Sequence, residues 1–393
     1  MNCKDVHNPP FGDAKLFGVA LDVSDDPFSL NLKHASMQAR EQGMDGLPVD
    51  PYDALLPELA LGIGLEAAGK FPVASWLGPR PNPLDRALVT RENMQRFLDD
   101  GGISELVGRL RNFVSRRILP SVPVMIGIDH SVTGGVLSAL SEVVGRDKLS
   151  VVILDRHFDG IPLTVRMAPI LSTLPGGSGP LDYSILGRSN GSEYCCGNFW
   201  AHLIESDVVM PEHLLFVGVA DYPDRAAGGV DWENFRRSYL GFEEQGCGFF
   251  TLREFAGTYR KRLERFLRDK ITTPYIYVSL DLDVGAYRCV HAARYMDGPG
   301  IDKKALLDTA QVIAEICQSG SYSLIGLDVM EFNMHLLGLD TQRGTEDQTI
   351  AASADFIGIL TNWQKGASGT KRENASGRKR KSKLHRGKTN NKR

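Results

Sequence analysis

The stretch Val151-Val152-Ile153-Leu154-Asp155-Arg156-His157-Phe158-Asp159 decides how the chain is read. Its four apolar residues lack polar alternation, the pattern of a strand buried on both faces in a parallel sheet. Side chains at alternate positions of an extended chain share one side. Asp155, His157 and Asp159 are therefore expected to converge just past the strand's end, where sites form in open α/β sheets. Carboxylates with an imidazole suit a borderline or hard divalent metal.

Three further apolar runs end in residues of the same chemical type. Val122–Ile128 leads into Asp129-His130-Ser131, Tyr275–Leu280 into Asp281-Leu282-Asp283, and Leu324–Val329 stops just before Glu331. Helical spacing separates the runs: residues 103, 106, 107, 110, 113 and 114 are apolar between Ile103 and Ile118, and Gly134–Val144 and Lys303–Gln318 read the same way. This βαβ order predicts a parallel α/β sheet with all four polar ends on one edge. Leu16–Leu21 reads as the first strand, Phe71–Leu77 as another, and Leu214–Val219 and Gly248–Thr251 as two more. Further helices are expected over Asn31–Gln42, Pro51–Leu59, Asn198–Ile204, Val230–Tyr239 (solvent-facing), Arg253–Arg268 and Thr349–Trp363. Thr90 reads as the N-cap of a helix running to Asp99.

Singly, these ionisable residues mean little, since a histidine after a strand is commonly a packing residue and Asp-x-Asp commonly a turn. Together they are hard to explain without a cation, because six clustered ionisable groups repel and desolvate one another. Two imidazoles (His130, His157) and four carboxylates (Asp155, Asp159, Asp281, Asp283) exceed what one metal needs. They suit two ions that lower the pKa of a shared water, and the oxygen-rich set favours Mn²⁺ over a thiolate-seeking metal.

The chain has 393 residues with a formal charge of −3. Eleven of its 45 Lys and Arg, but only one of its 48 acids, lie in the tail 366–393, which leaves residues 1–365 at −13. An acidic body with a basic tail is expected: a loose lead over 1–15, one domain over 16–365, and a disordered tail over 366–393. The tail, with Arg378-Lys379-Arg380-Lys381, offers a contact for nucleic acid or an anionic surface. The cysteines Cys3, Cys195, Cys196, Cys247, Cys289 and Cys317 show no CxxC or framework spacing and read as free thiols in a reducing compartment. No apolar run approaches the ~18 residues of a membrane span and no leader is evident, so a cytoplasmic protein is expected. The Gly-, Pro- and Ser-rich stretch Gly160–Gly197 leaves the sheet's functional edge and is either a lid or a surface insertion. No nucleophile elbow, P-loop or dinucleotide fingerprint is present.

Four segments carry a family resemblance. Gly127-Ile128-Asp129-His130-Ser131, Asp155-Arg156-His157-Phe158-Asp159, Ser279-Leu280-Asp281-Leu282-Asp283 and Asp328-Val329-Met330-Glu331 resemble, in order and spacing, the metal-ligand segments of the arginase/agmatinase (ureohydrolase) family. The resemblance spans about residues 16–363 and fills all six metal-ligand positions. It implies a three-layer α/β/α sandwich, two Mn²⁺ ions per chain with other divalent metals possible, and a trimeric or hexameric assembly. It also implies hydrolysis of a C–N bond in a small cationic guanidino or amidino compound by a hydroxide held between the metals. Asp159 and Asp283 would position that hydroxide, and Glu331 would pair with the substrate's guanidinium.

The chain also departs from the family pattern. Where the family has Asp-Pro and a Gly-Thr-Gly-Thr-Pro-like loop, this chain has Val284-Gly285-Ala286-Tyr287-Arg288-Cys289-Val290-His291 and then Ala292-Ala293-Arg294-Tyr295-Met296-Asp297. The family's alanine between Asp155 and His157 is Arg156, a cation placed to pair with substrate or with the protein itself. The proton-shuttling histidine is displaced, leaving His202 as candidate general acid and His291 as a second. Two rival readings share the fold: a mononuclear Zn²⁺ amide hydrolase using Asp155, His157 and Asp281, and a non-catalytic, metal-stabilised binding scaffold.

Overall fold

The computed structural model describes residues 11–44, 46–162, 165, 168, 193–223, 230–339 and 347–362. Most of the Gly160–Gly197 stretch, the lead over 1–10, Cys3, Trp363 and the basic tail lie outside the described residues.

Among the described residues eight strands form one sheet: β1 Ala14–Val19, β2 Glu66–Lys70, β3 Val122–Gly127, β4 Leu149–Leu154, β5 Leu214–Val217, β6 Gly248–Phe250, β7 Tyr275–Asp281 and β8 Ser323–Met330. Their order is β2-β1-β3-β8-β7-β4-β5-β6 and every pairing is parallel. All six residues of β4 are buried. Val151 and Ile153 pack into one core with Phe17, Met125 and Phe216, while Val152 and Leu154 pack into the other with Val124, Val278 and Leu280. Helices cover both faces. Pro51–Gly62, Tyr259–Lys270, Lys303–Gln318 and a helix over 349–362 lie on one side, and Pro27–Glu41, Arg91–Asp99, Gly102–Phe113, Thr133–Val144, Phe199–Glu205 and Val230–Glu244 on the other. This is the expected α/β/α sandwich.

Register places the polar strand ends side by side. Ile126, Val329, Leu280, Leu154 and Val217 form one row across β3, β8, β7, β4 and β5. The four adjacent central strands β3-β8-β7-β4 are the ones followed by His130, Glu331, Asp281 with Asp283, and Asp155 through Asp159. Helix starts are set locally: Asp26, Asp50, Thr90 and Asp302 each accept the N–H three residues on, as N-caps do.

Three local expectations are corrected. The second strand to form is Glu66–Lys70, not Phe71–Leu77. Pro72 has no N–H to donate, and Ser75–Leu77 turns as a 3₁₀ helix. The edge strand is short and exposed, with Glu66 paired to Lys15 at 3.1 Å, so it lacks an apolar signature. Arg253–Arg268 is not one helix: a 3₁₀ turn at Leu252–Phe255 and the helix Tyr259–Lys270 are separated at Gly257, whose φ is 65°. The helix Val230–Glu244 is not wholly solvent-facing, since Phe235 and Tyr239 are buried.

Phe158 anchors the central segment from behind. It is 1% exposed, and its ring centroid lies 4.8 Å from those of Phe216 and Tyr239, 4.7 Å from Phe242 and 5.1 Å from Phe249. Phe158→Ala is expected to destabilise the fold by about 3–5 kcal/mol. Denaturant melts of the two proteins measure the loss, and a change below about 1 kcal/mol would show that the aromatic cluster is not what holds His157 and Asp159 in place.

Candidate metal centre

One device turns three of the strand ends. Asp129 Oδ1 accepts the Ser131 N–H at 3.1 Å, Asp155 Oδ1 the His157 N–H at 2.6 Å, and Asp281 Oδ1 the Asp283 N–H at 2.9 Å. An aspartate bonded to the N–H two residues on mimics a backbone turn. The chain therefore bends after β4 and does not stay extended, so Asp155, His157 and Asp159 do not reach the site by simple alternation. Asp159 comes back through a φ of 50°, and Glu331 sits at 66°, a region few non-glycine residues occupy. Backbone strain of this kind gathers at functional sites.

The second oxygens of Asp155 and Asp281 are left for the site. Asp155 Oδ2, Asp159 Oδ2 and Asp281 Oδ2 lie 3.5, 3.6 and 3.1 Å from His130 Nδ1. These four residues form one group whose ligand atoms all lie within 4.8 Å of one another. Asp155, His157 and Asp283 form a second, with His157 Nδ1 2.6 Å from Asp283 Oδ2. Asp155 belongs to both. His130 Nδ1 and Asp155 Oδ2 are buried, yet neither makes a hydrogen bond. A buried polar atom left so is costly, and a cation between them would satisfy both. The donor set and these orphaned atoms fit a divalent ion.

Both imidazoles are held from behind. His130 Nε2 lies 2.8 Å from Ser279 Oγ, whose hydroxyl donates to Asp328 Oδ1 at 2.7 Å. Ser279 spends its one proton on Asp328, so it accepts from His130 Nε2–H and leaves Nδ1 as the ligating nitrogen. Asp328 is fixed in turn by the Tyr277 and Thr133 hydroxyls at 2.6 and 2.7 Å. His157 Nε2 faces Asp297 Oδ2 at 3.1 Å. The other Asp297 oxygen accepts from Arg156 Nε at 2.5 Å, and Arg156 Nη1 donates to the Pro299 carbonyl at 2.7 Å. Arg156 thus binds the loop after β7. Burial works against the charge on Asp297, but His157 and Arg156 together hold it below the usual carboxylate range.

That loop returns along β8. Gly300 N–H donates to the Ala286 carbonyl at 2.8 Å, and a Cβ at position 300 would run into the Val284 carbonyl oxygen, so only glycine fits. Arg294 N–H donates to the Glu331 carbonyl at 2.8 Å, and Asn333 N–H to Ala292 at 2.9 Å. This short antiparallel bridge sets the Arg294 guanidinium beside Glu331, with Nε 3.5 Å from Oε2. Glu331 Oε1 accepts the His130 N–H at 2.9 Å.

His202 and His291 belong to neither ligand group among the described residues. The helix carrying His202 presents Phe199 and Trp200 to the His130 ring, at 4.9 and 6.1 Å between centroids, whereas His202 lies against Tyr194 at 5.5 Å. His291 is tied through its N–H to Thr349 Oγ1 at 3.1 Å. Sequence reasoning missed Ser279, Asp297, Arg294 and Asp328 as site-supporting residues. Ser279 and Asp328 stood inside the quoted segments, just ahead of Asp281 and Glu331, and carried a signal in that place. Asp297 and Arg294 act through contacts more than 30 residues away in sequence, which no local pattern reveals.

Without a cation the cluster is short of positive charge. Burial first, then the neighbouring Asp159 and Asp283 carboxylates, push Asp155 up to about 7, and burial with Asp283 and Asp155 raises Asp281 well above its ordinary value. Burial, only partly offset by Arg294, pushes Glu331 up to about 8. Burial disfavours charge on His130, but Asp155, Asp159 and Asp281 hold its pKa well above the usual imidazole value.

Comparison with known proteins agrees with this geometry. The family model described as "Arginase family" matches residues 90–358. Among solved structures, proclavaminate amidino hydrolase from Streptomyces clavuligerus is 20% identical with a TM-score of 0.50, covering 91% of this chain and 94% of its own. Arginase from Bacillus caldovelox is 16% identical at 0.52 (89% and 98%), and formimidoylglutamase from Bacillus subtilis 14% at 0.53 (91% and 89%). At these identities the structures speak for the fold alone. No curated protein sequence matches the chain.

The raised values fix the sign of a pH effect. Asp155 keeps its proton to about pH 7 in the folded chain but loses it near 3.8 when unfolded. The folded state therefore binds more protons between those values, and stability falls as pH rises through them. Asp281, Glu331 and His130, all raised, act in the same direction. Thermal melts in chelator should show Tm dropping from about pH 5 to about pH 8, and saturating Mn²⁺ should reverse the trend, since ligands release protons on binding metal. A flat or rising chelator profile would contradict a buried, uncompensated cluster.

Proposed function

The chain belongs to the arginase family, and we propose on that basis that it is a dinuclear Mn²⁺ hydrolase cleaving a C–N bond of the kind found in guanidino and amidino compounds. The observation that carries this reading is the pair of ligand groups sharing Asp155, with His130 Nδ1 and Asp155 Oδ2 buried and unpartnered between them. His130, Asp155, Asp159 and Asp281 would hold one ion, and Asp155, His157 and Asp283 the other. When bound, two such ions lower the pKa of water enough to supply hydroxide near neutral pH and polarise the group under attack.

The residues do the rest. Asp159 and Asp283, one in each group, would orient the attacking water as hydrogen-bond acceptors. Ser279 and Asp297 lock the His130 and His157 rings so that the donor atoms need no rearrangement during turnover. Glu331, anchored through Oε1 to the His130 N–H, offers Oε2 to the substrate's N–H groups. We propose His202, on the helix that covers His130 with Phe199 and Trp200, as donor of the leaving-group proton.

Metal analysis and a panel of guanidino, amidino, ureido and carboxamide compounds test the reading. The expected result is two Mn²⁺ per chain and release of urea, ammonia or amine. One zinc per chain would favour the mononuclear amide hydrolase instead, and no product from any compound would count against hydrolysis. Asp155→Ala or Asp281→Ala should lose metal and lower Tm, because binding energy is linked to folding. Ser279→Ala should keep the fold while weakening metal affinity by about 10–100-fold, read by competition with a chelating dye.

A further inference from the structure

Arg294 comes from the loop that departs from the family pattern, and it occupies the place beside Glu331 that the resemblance gives to a substrate's guanidinium. Its side chain is 8% exposed and Glu331 is 1% exposed. Two of its nitrogens are accounted for: Nη2 donates to the Tyr295 hydroxyl at 2.7 Å and to Ser24 Oγ at 3.2 Å, and Nε lies 3.5 Å from Glu331 Oε2. Nη1 makes no hydrogen bond and lies 3.9 Å from Asp129 Oδ2, and Glu331 Oε2 makes no hydrogen bond either. Two buried polar atoms on adjacent, oppositely charged groups thus lack a hydrogen-bond partner: the donor Arg294 Nη1 and the acceptor Glu331 Oε2, the latter at ion-pair distance from Arg294 Nε.

A guanidinium carries donors and no acceptor. It would satisfy Glu331 Oε2 but leave Arg294 Nη1 unpaired and bring a second cation against the first. A ureido or carboxamide group carries both complements: its N–H donates to Glu331 Oε2 while its C=O accepts from Arg294 Nη1. We propose that Arg294 is a specificity-determining residue, and that with Glu331 it selects a neutral carbonyl-containing C–N group, ureido or carboxamide, against guanidinium. This inference rests on the hydrolase reading for its chemistry and departs from it only in the charge of the group attacked. The reaction stays a hydrolysis: water adds at the carbonyl carbon, the C–N bond breaks, and the amine leaves with the water's proton.

Matched pairs that differ only in =NH₂⁺ against =O decide the matter: butylguanidine with butylurea, and 4-guanidinobutyrate with 4-ureidobutyrate. Calorimetry measures binding to the metal-free and Mn²⁺-loaded full chain, and amine release measures turnover. The ureido member should bind at least about a hundredfold tighter, because a site's buried polar groups reject the partner that leaves them unpaired. Arg294→Met, which frees Glu331, should invert that ratio. Equal or tighter binding of the guanidino member by the unaltered protein, a ratio unmoved by Arg294→Met, or no binding of either member of both pairs up to about 10 mM would overturn the proposal. If Arg294→Met does not fold, the ratio of the unaltered chain stands alone, and Glu331→Gln, which keeps an acceptor but removes the charge that holds Arg294, should still weaken ureido binding. Ureido preference without turnover would remove the hydrolase reading and leave the selectivity intact; turnover of the guanidino member in preference would do the opposite.

Discussion

Burying like charges at one edge of a sheet is the constraint around which this molecule is arranged. Asp155, Asp159, Asp281, Asp283 and Glu331 are all less than a tenth exposed and lie at the ends of three neighbouring strands, β8, β7 and β4. Carboxylates so placed are tolerable only with compensating positive charge or with protons taken from solution. Local bonds go partway: each Asx turn uses one oxygen, and the N–H groups of His130, His157 and Asp283 are spent on acids. The shortfall that remains, in the unpartnered Asp155 oxygen and the raised pKa values, is what a divalent pair would make good.

The same pressure operates a few ångströms away at Glu331 and is met differently. There the chain supplies its own cation, Arg294, held by a backbone bridge to the residue it neutralises. Two neighbouring acidic sites thus call for two kinds of counter-charge: an exchangeable cation would serve the first, and the second has one covalently part of the protein. Arginine suits the second role because its charge persists at any accessible pH and its planar fork keeps several donors in fixed directions.

What could be read from the sequence follows how local the physics is. Unbroken apolar runs gave the central strands, since a strand buried on both faces must be apolar throughout. The Asp-x-His and Asp-x-Asp steps were visible because the turn they make closes within two residues. Glu66–Lys70 escaped notice because an edge strand has no core to face, and Phe71–Leu77, apolar enough to look like a strand, is turned by Pro72 and a 3₁₀ segment. The inward face of Val230–Glu244 was hidden because burial of Phe235 and Tyr239 depends on the sheet beneath them. Arg156 was visible as an anomaly, but its partner Asp297 lies 141 positions away. Arg294 carried no mark beyond standing in the segment that no longer follows the family.

Asp297 divides its two oxygens between Arg156 and His157, consecutive residues of the central segment, and Gly300 closes the same loop at its base. The loop after β7 and the segment that carries His157 and Asp159 are therefore one mechanical unit. A mutation that lengthened or re-routed the loop would pull on His157, a candidate metal ligand, and selection would meet the cost in folding before any gain in chemistry. Divergence under such a constraint is channelled into single side-chain replacements on an unchanged backbone path. A change as small as one arginine beside one glutamate is the size of step this architecture leaves open.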